Sequence, residues 1–437
     1  MIATGKSVFK GTLSNSVQNG GVSVSLLSGW LPTALRITAL AAVVVAVVRA
    51  GDRRWWTRVV PVAIVAAVAV AVVASVVVDN ALAMPETLPP EVWFWVGVAV
   101  FALVTMVWRG QVWRRAVAAG AVLLAAASAA STVNEFVGYY PTVGAAFGEL
   151  TGQPVPAQVG ASQLSSVDPD TERGRVVPVD IPDTYSHFTH REEFVYLPPA
   201  WFRNGRKEQF PVIEMIGAEF STPENWIRAG DAVGAADEYA HEHDGRAPIL
   251  VFADASGGFT IDTECVNGPH GNSEDHLVKD VPAYLAAHFG VAPTGWGVAG
   301  WSMGGTCAID LAVEHPDVFT HFLDISGDLG PNMGDEAATI STLYGGDRAA
   351  WAAHDPLTVL GHHHRYHGVT GVFADGTREH RTTLAAFRLA RACRADGIHT
   401  EVLIRPGGHN WMFGAQEFRE ALPRLAESFT GTAGLST

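Results

Sequence analysis

The sequence predicts a mainly parallel α/β sheet with helices on both faces, held behind four membrane-spanning α-helices. Three observations predict it. Four apolar runs crowd the first third of the chain, each near the roughly 20 residues that a bilayer-spanning helix needs. From about Val176 onward short apolar runs alternate with helix-length ones, the pattern of a parallel sheet covered on both faces. Within that region Gly300-Trp301-Ser302-Met303-Gly304 lies between an apolar run and a helical one, which makes a strand, a sharp turn and a helix.

Taken in order, residues 1–29 are polar and carry only Lys6 and Lys10 as charges, with no short apolar core followed by a small-residue cleavage site, so no removable signal peptide is expected. Residues 30–133 form the membrane region, with spans at about Leu31 to Val48, Val59 to Val78, Val92 to Trp108 and Ala116 to Val133. The second holds eleven Val and one Ile, together about −5 kcal/mol on an insertion scale, an upper bound because most lie off-centre. Arg36 in the first span is near the helix end, where it can snorkel to the interface. Arg49, Arg53, Arg54 and Arg58 crowd the first connection and Arg109, Arg114 and Arg115 the third, whereas the second carries Asp79, Glu86 and Glu91. Positive loops stay in the cytoplasm, so the amino terminus and everything beyond the fourth helix are expected outside. Trp55, Trp56, Trp93, Trp95, Trp108 and Trp113 are positioned as interfacial anchors.

Residues 134–175 read as a linker rich in Gly, Pro and polar residues, with Gln153 to Thr171 extended or disordered. The folded domain occupies 176–437. Its strands are expected at Phe194 to Leu197, Pro211 to Gly217, Ile249 to Ala253, Gly297 to Ala299, Phe319 to Ile325, Val369 to Ala374 and Glu401 to Ile404. Helices fall near Trp226 to Ala240, Leu277 to Phe289, Met303 to Glu314 and Thr382 to Ala395. A net charge of −15 argues against nucleic acid as a partner. The three cysteines show no metal-ligand spacing.

G-x-S-x-G places a serine at the apex of a strained turn, and the flanking glycines let strand and helix pass closely. The helix begins at the serine, so its unpaired N–H groups and positive dipole end face the place where an oxyanion would form. Downstream lies Pro406-Gly407-Gly408-His409-Asn410-Trp411, with acidic candidates between. Serine, acid, histidine is the chain order of α/β-hydrolases. These two motifs, with Val195-Tyr196-Leu197-Pro198-Pro199 and the strand Pro211 to Gly217 followed by Ser221-Thr222-Pro223-Glu224-Asn225-Trp226, resemble the esterase branch of that fold. The branch includes esterase D-like enzymes and antigen 85-type mycolyltransferases, and the layout looks like its membrane-tethered actinobacterial members. Where many relatives have His-Gly after the third strand, this chain has Ile216-Gly217-Ala218-Glu219-Phe220.

The resemblance implies acyl transfer through a covalent serine ester. Ser302 attacks, His409 moves the proton, a carboxylate orients the imidazole, and the oxyanion is held by the Met303 amide and one from Ala218, Glu219 or Phe220. For the acid, Glu379 completes a Gly-x-x-acid turn like that of relatives, and Asp375 at the strand end is the alternative. The run His362, His363, His364 and His367 suits a solvated loop better than a metal site, and the chemistry needs neither metal nor cofactor. Trp226, Trp296, Trp301 and Trp411 either line an acyl or sugar pocket or pack in the core. Cys265 after the strand Ile249 to Ala253 and Cys307 one turn past the nucleophile are candidates for a disulfide, with free buried thiols the alternative. The expectation is a multi-pass plasma-membrane protein with an extracytoplasmic serine esterase or acyltransferase domain acting on acyl esters or glycolipids. Small esters or thioesters are the second reading, and an idle envelope scaffold the third.

Overall fold

The computed structural model describes residues 24–48, 52–82, 87–108, 111–204, 209–362 and 365–432. Most of the polar amino-terminal segment lies outside the described residues, as do Arg49, Glu86, Arg109, His363 and His364.

Among the described residues, four helices are long and apolar enough to cross a membrane: α1 (Trp30–Val47), α2 (Val60–Leu82, entered through a wider turn at Trp55–Val59), α3 (Pro90–Val107) and α4 (Val112–Val137). They pack α1 on α4, α4 on α3 and α3 on α2. Small residues make the contacts, with Ala39, Ala63, Ala102, Ala121 and Ala125 buried, while Val62, Val65, Val68, Val72 and Val76 of α2 point outward. Two expectations change here. Arg36 does not snorkel alone: its guanidinium bonds Glu135 of α4 at 2.7 Å, because the two helices adjoin at that level. Trp55 and Trp95 are buried in the bundle, and the Trp55 indole donates to the Val47 carbonyl at 2.8 Å, whereas Trp56, Trp108 and Trp113 are exposed.

The lead-in is folded rather than extended. Helix α5 (Val143–Leu150) and a short 3₁₀ turn at Ala161–Ser166 precede the first strand. Side chains fix it: the Tyr139 hydroxyl donates to Asn225 at 2.9 Å, and Val155 enters the core.

Eight strands form the sheet: β1 (Arg175–Val179), β2 (Glu193–Leu197), β3 (Val212–Ile216), β4 (Ile249–Ala253), β5 (Trp296–Trp301), β6 (Phe319–Ile325), β7 (Thr370–Gly376) and β8 (His399–Arg405). Their spatial order is β1-β2-β4-β3-β5-β6-β7-β8, antiparallel at β1 and β2 and parallel from β3 to β8. Being buried on both faces, the central strands are mainly apolar, with Glu214 of β3 and His321 and Asp324 of β6 as buried exceptions, and alternate residues serve different layers. Ile249, Val251 and Ala253 join one core with α7 (Val281–Phe289), α8 (Met303–Glu314) and α9 (His380–Ala395). Leu250 and Phe252 join the other with α6 (Ala232–Glu242) and α10 (Trp411–Thr432). This is the expected α/β-hydrolase architecture behind four apolar helices. The helix expected over Trp226 to Ala240 is broken: Glu224–Arg228 ends before Gly230, and Asp231 takes a left-handed φ of 47° before α6 begins. Strand β1 and helix α10 have no counterpart among the elements expected from the sequence.

Candidate active site

Ser302 sits between β5 and α8 with φ of 61° and ψ of −122°, a conformation costly for a non-glycine residue. Two glycines permit it. A Cβ on Gly300 would lie 2.0 Å from the Gly304 carbonyl oxygen, and one on Gly304 would lie 2.3 Å from that of Ile216. Only bare backbone fits, so β5, α8 and the end of β3 converge beneath the serine.

His409 arrives from the loop between β8 and α10, where the Asn410 side chain accepts from the Phe413 amide at 2.9 Å and starts the helix. Trp301 and Trp411 pack against each other at 4.7 Å between ring centroids, and Trp301 lies 5.1 Å from the imidazole. His409 Nε2 is 2.7 Å from Ser302 Oγ, and its Nδ1 is 2.7 Å from Glu379 Oε1. The other carboxylate oxygen of Glu379 accepts from the Gly376 amide at 2.7 Å and the Ser326 hydroxyl at 2.9 Å. Glu379 is 1% exposed and His409 7%, so this line of bonds is shielded from competing water. Asp375, the alternative acid, does not take the histidine. It is buried behind Glu379 at the end of β7; burial first and then the Glu379 charge push its pKa up to about 7, against a bond from Thr382.

The first bonds to the Ser302 carbonyl come from the amides of Gly305 and Thr306, which leaves Met303 and Gly304 at the open, electropositive end of α8. The turn after β3 closes over this end. Ser221 Oγ donates to the Ala218 carbonyl at 2.5 Å, and Phe220 holds a left-handed φ of 55°. Burial, then the nearby Asp262, pushes the Glu219 carboxyl up to about 7.

A brace behind this turn escaped the sequence reading. Asp254, directly after β4, accepts from the Arg191 amide at 2.7 Å and from its guanidinium at 2.5 and 2.9 Å, and Arg191 donates onward to the Ser221 carbonyl at 2.9 Å. Asp254 and Ser326 both follow the carboxyl ends of parallel strands, the edge where such sheets bind ligands, and that position was the available signal.

Cys265 and Cys307 are joined in a disulfide, Cα to Cα 5.7 Å, tying the segment after β4 to the nucleophile helix, while Cys393 is free and buried. Trp226, Trp296, Trp301 and Trp411 are all buried in the cores. His367 is exposed, and His362 Nδ1 bonds the Thr358 carbonyl of its own helix. Among the described residues, two clusters elsewhere have ligand atoms close enough for an ion. In His190, Glu193 and His276, both ring nitrogens of His190 already face carbonyl oxygens at 2.7 and 2.9 Å, leaving no lone pair for a metal. In Glu274, Glu314 and His354, a bond of 3.0 Å joins His354 to Glu274, which also accepts from His315 at 2.7 Å. Burial opposes both charges there, yet this bonding holds Glu274 at about 2 and raises His354 to about 9.

Residues 189–425 match the family described as "Putative esterase". An uncharacterized protein of Corynebacterium glutamicum is 29% identical over 370 residues, covering 80% of this chain and 84% of the relative. The diacylglycerol acyltransferase/mycolyltransferase Ag85A of Mycobacterium ulcerans is 41% identical over 101 residues, 20% of this chain and 30% of that protein. Among solved structures, an S-formylglutathione hydrolase from Agrobacterium tumefaciens matches with a TM-score of 0.48 at 18% identity, over 59% of this chain and 97% of that one.

Proposed function

The chain belongs to the esterase family and is a serine ester hydrolase or acyltransferase; on that premise we propose a membrane-anchored enzyme that acts on acyl esters or glycolipids at the outer face of the cell envelope. The observation that carries the reading is the hydrogen-bonded line Ser302 to His409 to Glu379, with both bonds at 2.7 Å. Ser302 Oγ attacks the ester carbonyl carbon as His409 Nε2 removes its proton. The tetrahedral oxyanion is received by the Met303 amide and one amide of the Ala218 to Phe220 turn, which the Arg191 brace holds in place. His409 then protonates the departing oxygen, and Glu379 keeps Nδ1 protonated so that Nε2 is the basic nitrogen. In the second half His409 deprotonates water or a hydroxyl, which takes the acyl group from Ser302.

Residues 1–29 form the polar amino terminus, 30–133 the membrane bundle, 134–175 the connection and 176–437 the extracytoplasmic catalytic domain. The arginine-rich first and third connections support this orientation in the plasma membrane. The identity to Ag85A over 101 residues favours transfer to a hydroxyl over simple hydrolysis. Labelling of the full chain with a fluorophosphonate tests the nucleophile. Wild type should carry one adduct that disappears in Ser302→Ala. An adduct that survives the substitution, or none in the folded wild type, refutes the mechanism.

A further inference from the structure

Helix α5 presents an apolar stripe that stays exposed among the described residues. Val143, Phe147 and Leu150 are 41, 58 and 76% exposed. Their spacing of four and three residues puts them on one face. The opposite side packs inward: Gly148 is buried against Arg228, and Glu149, the helix's one charged residue, interacts with Tyr139, Asn225 and Arg228. No charge interrupts the outer face.

The helix is pinned where the apolar bundle ends. Helix α4 stops at Val137, and α5 starts at Val143. The Val143 amide donates to the Val24 carbonyl at 2.9 Å and the Leu26 amide to that of Pro141 at 3.0 Å, so this stretch lies beside the residues that lead into α1 at Trp30. Arg36 and Glu135, paired at 2.7 Å, lie six residues into α1 and two residues before the end of α4, so they too belong to this end of the bundle. From there a chain of aromatic rings leads to the site. Tyr140 meets Tyr139 at 4.8 Å, Tyr139 meets Phe259 at 6.4 Å, and Phe259 meets Phe220 of the turn after β3 at 6.1 Å. Phe259 and its neighbour Ile261 are 50 and 41% exposed.

We infer that α5 lies in the outer surface of the bilayer and that the Tyr139–Phe259–Phe220 path leads the acyl chain of a membrane-resident lipid ester from the bilayer to Ser302. The inference rests on the anchoring proposed above. An amphipathic helix continuous with membrane spans gains by burying its apolar face among lipid headgroups and chains. Exposed apolar side chains grouped between a membrane bundle and the turn beside a nucleophile mark a membrane or ligand contact rather than scattered exposure. A second copy of the chain covering the stripe is the competing occupant.

The test uses the full chain in phosphatidylcholine–phosphatidylglycerol vesicles. Flotation with the vesicles comes first, and failure to float counts against anchoring itself. In a Cys393→Ala background, nitroxide labels are placed at Phe147→Cys and, as an aqueous control, at exposed Ser162→Cys. The label at 147 should be more accessible to oxygen than to a nickel chelate, and the label at 162 the reverse. Equal nickel access at both sites overturns the placement, and shielding of 147 from both reagents assigns the stripe to a second copy. Phe259→Ser should slow turnover of a long-chain ester dissolved in the vesicles by about fivefold or more while a short soluble ester changes by less than about twofold. Equal loss on both esters, or loss on neither, overturns the path.

Discussion

Replacing Glu379 by Gln separates the role of its charge from that of its shape. In the native site Oε1 faces the protonated Nδ1 of His409, while Oε2 accepts from two donors, the Gly376 amide and the Ser326 hydroxyl. An amide has one accepting oxygen and one donating NH₂ group. Turned with its oxygen toward Gly376 and Ser326, Gln keeps both of those bonds but aims NH₂ at His409. The imidazole must then accept at Nδ1, which moves its proton to Nε2 and leaves no base for Ser302. Turned the other way, NH₂ meets the Gly376 N–H in a buried site, at a cost of about 1–3 kcal/mol. The first orientation therefore prevails, and in the minority that keeps the right tautomer the imidazolium formed in the transition state no longer faces a carboxylate charge; the two effects together should cut turnover by about 10⁴, or about 5.5 kcal/mol of transition-state stabilisation. The assay is kcat/KM on a chromogenic short-chain ester, with thermal melting as a check on folding. Asp375→Asn should change kcat/KM only a few-fold, because Asp375 does not touch the histidine. A folded Glu379→Gln protein with near-native kcat/KM, or a large loss confined to Asp375→Asn, refutes the reasoning.

Three further outcomes are expected. Gly304→Ala puts a methyl group 2.3 Å from the Ile216 carbonyl oxygen, so it should destabilise by about 1–3 kcal/mol and lower fluorophosphonate labelling; unchanged melting and labelling would show that the elbow tolerates a side chain. The disulfide closes a sequence separation of 42 residues, worth about 4 kcal/mol by loop entropy, so reductant should lower the melting temperature; alkylation of all three cysteines in unreduced, denatured protein would exclude the bridge. His354 is raised from 6.5 to about 9 in the fold, so its pairing with Glu274 contributes below pH 6.5 and is lost as pH climbs through about 9, up to about 3 kcal/mol. Wild type should therefore lose stability over that window while His354→Gln loses less; parallel curves would remove His354 from the balance.

The sequence by itself determined what depends on local pattern and composition. Apolar length marked the four helices, and residues buried on both faces made the central strands read as apolar runs. Gly300 and Gly304 are dictated by an approach of backbone to backbone that permits no side chain, so the elbow was legible from five residues. Ser302 and His409 could be singled out because each lies in a short motif. The tertiary structure decided whatever depends on which strand ends share an edge. Asp375 and Glu379 are four residues apart, and only the packing of the Gly376 turn against the histidine loop brings Glu379 to Nδ1 and leaves Asp375 behind it. Arg191, Asp254 and Ser221 are distant in sequence and meet because β4 lies between β2 and β3, an order no local pattern encodes. The strand order is set by which faces bury most apolar area together. For the same reason Trp226 and Trp411, open to two readings in sequence, became core, and Arg36, which a lone helix would send to the interface, found Glu135 on a neighbour.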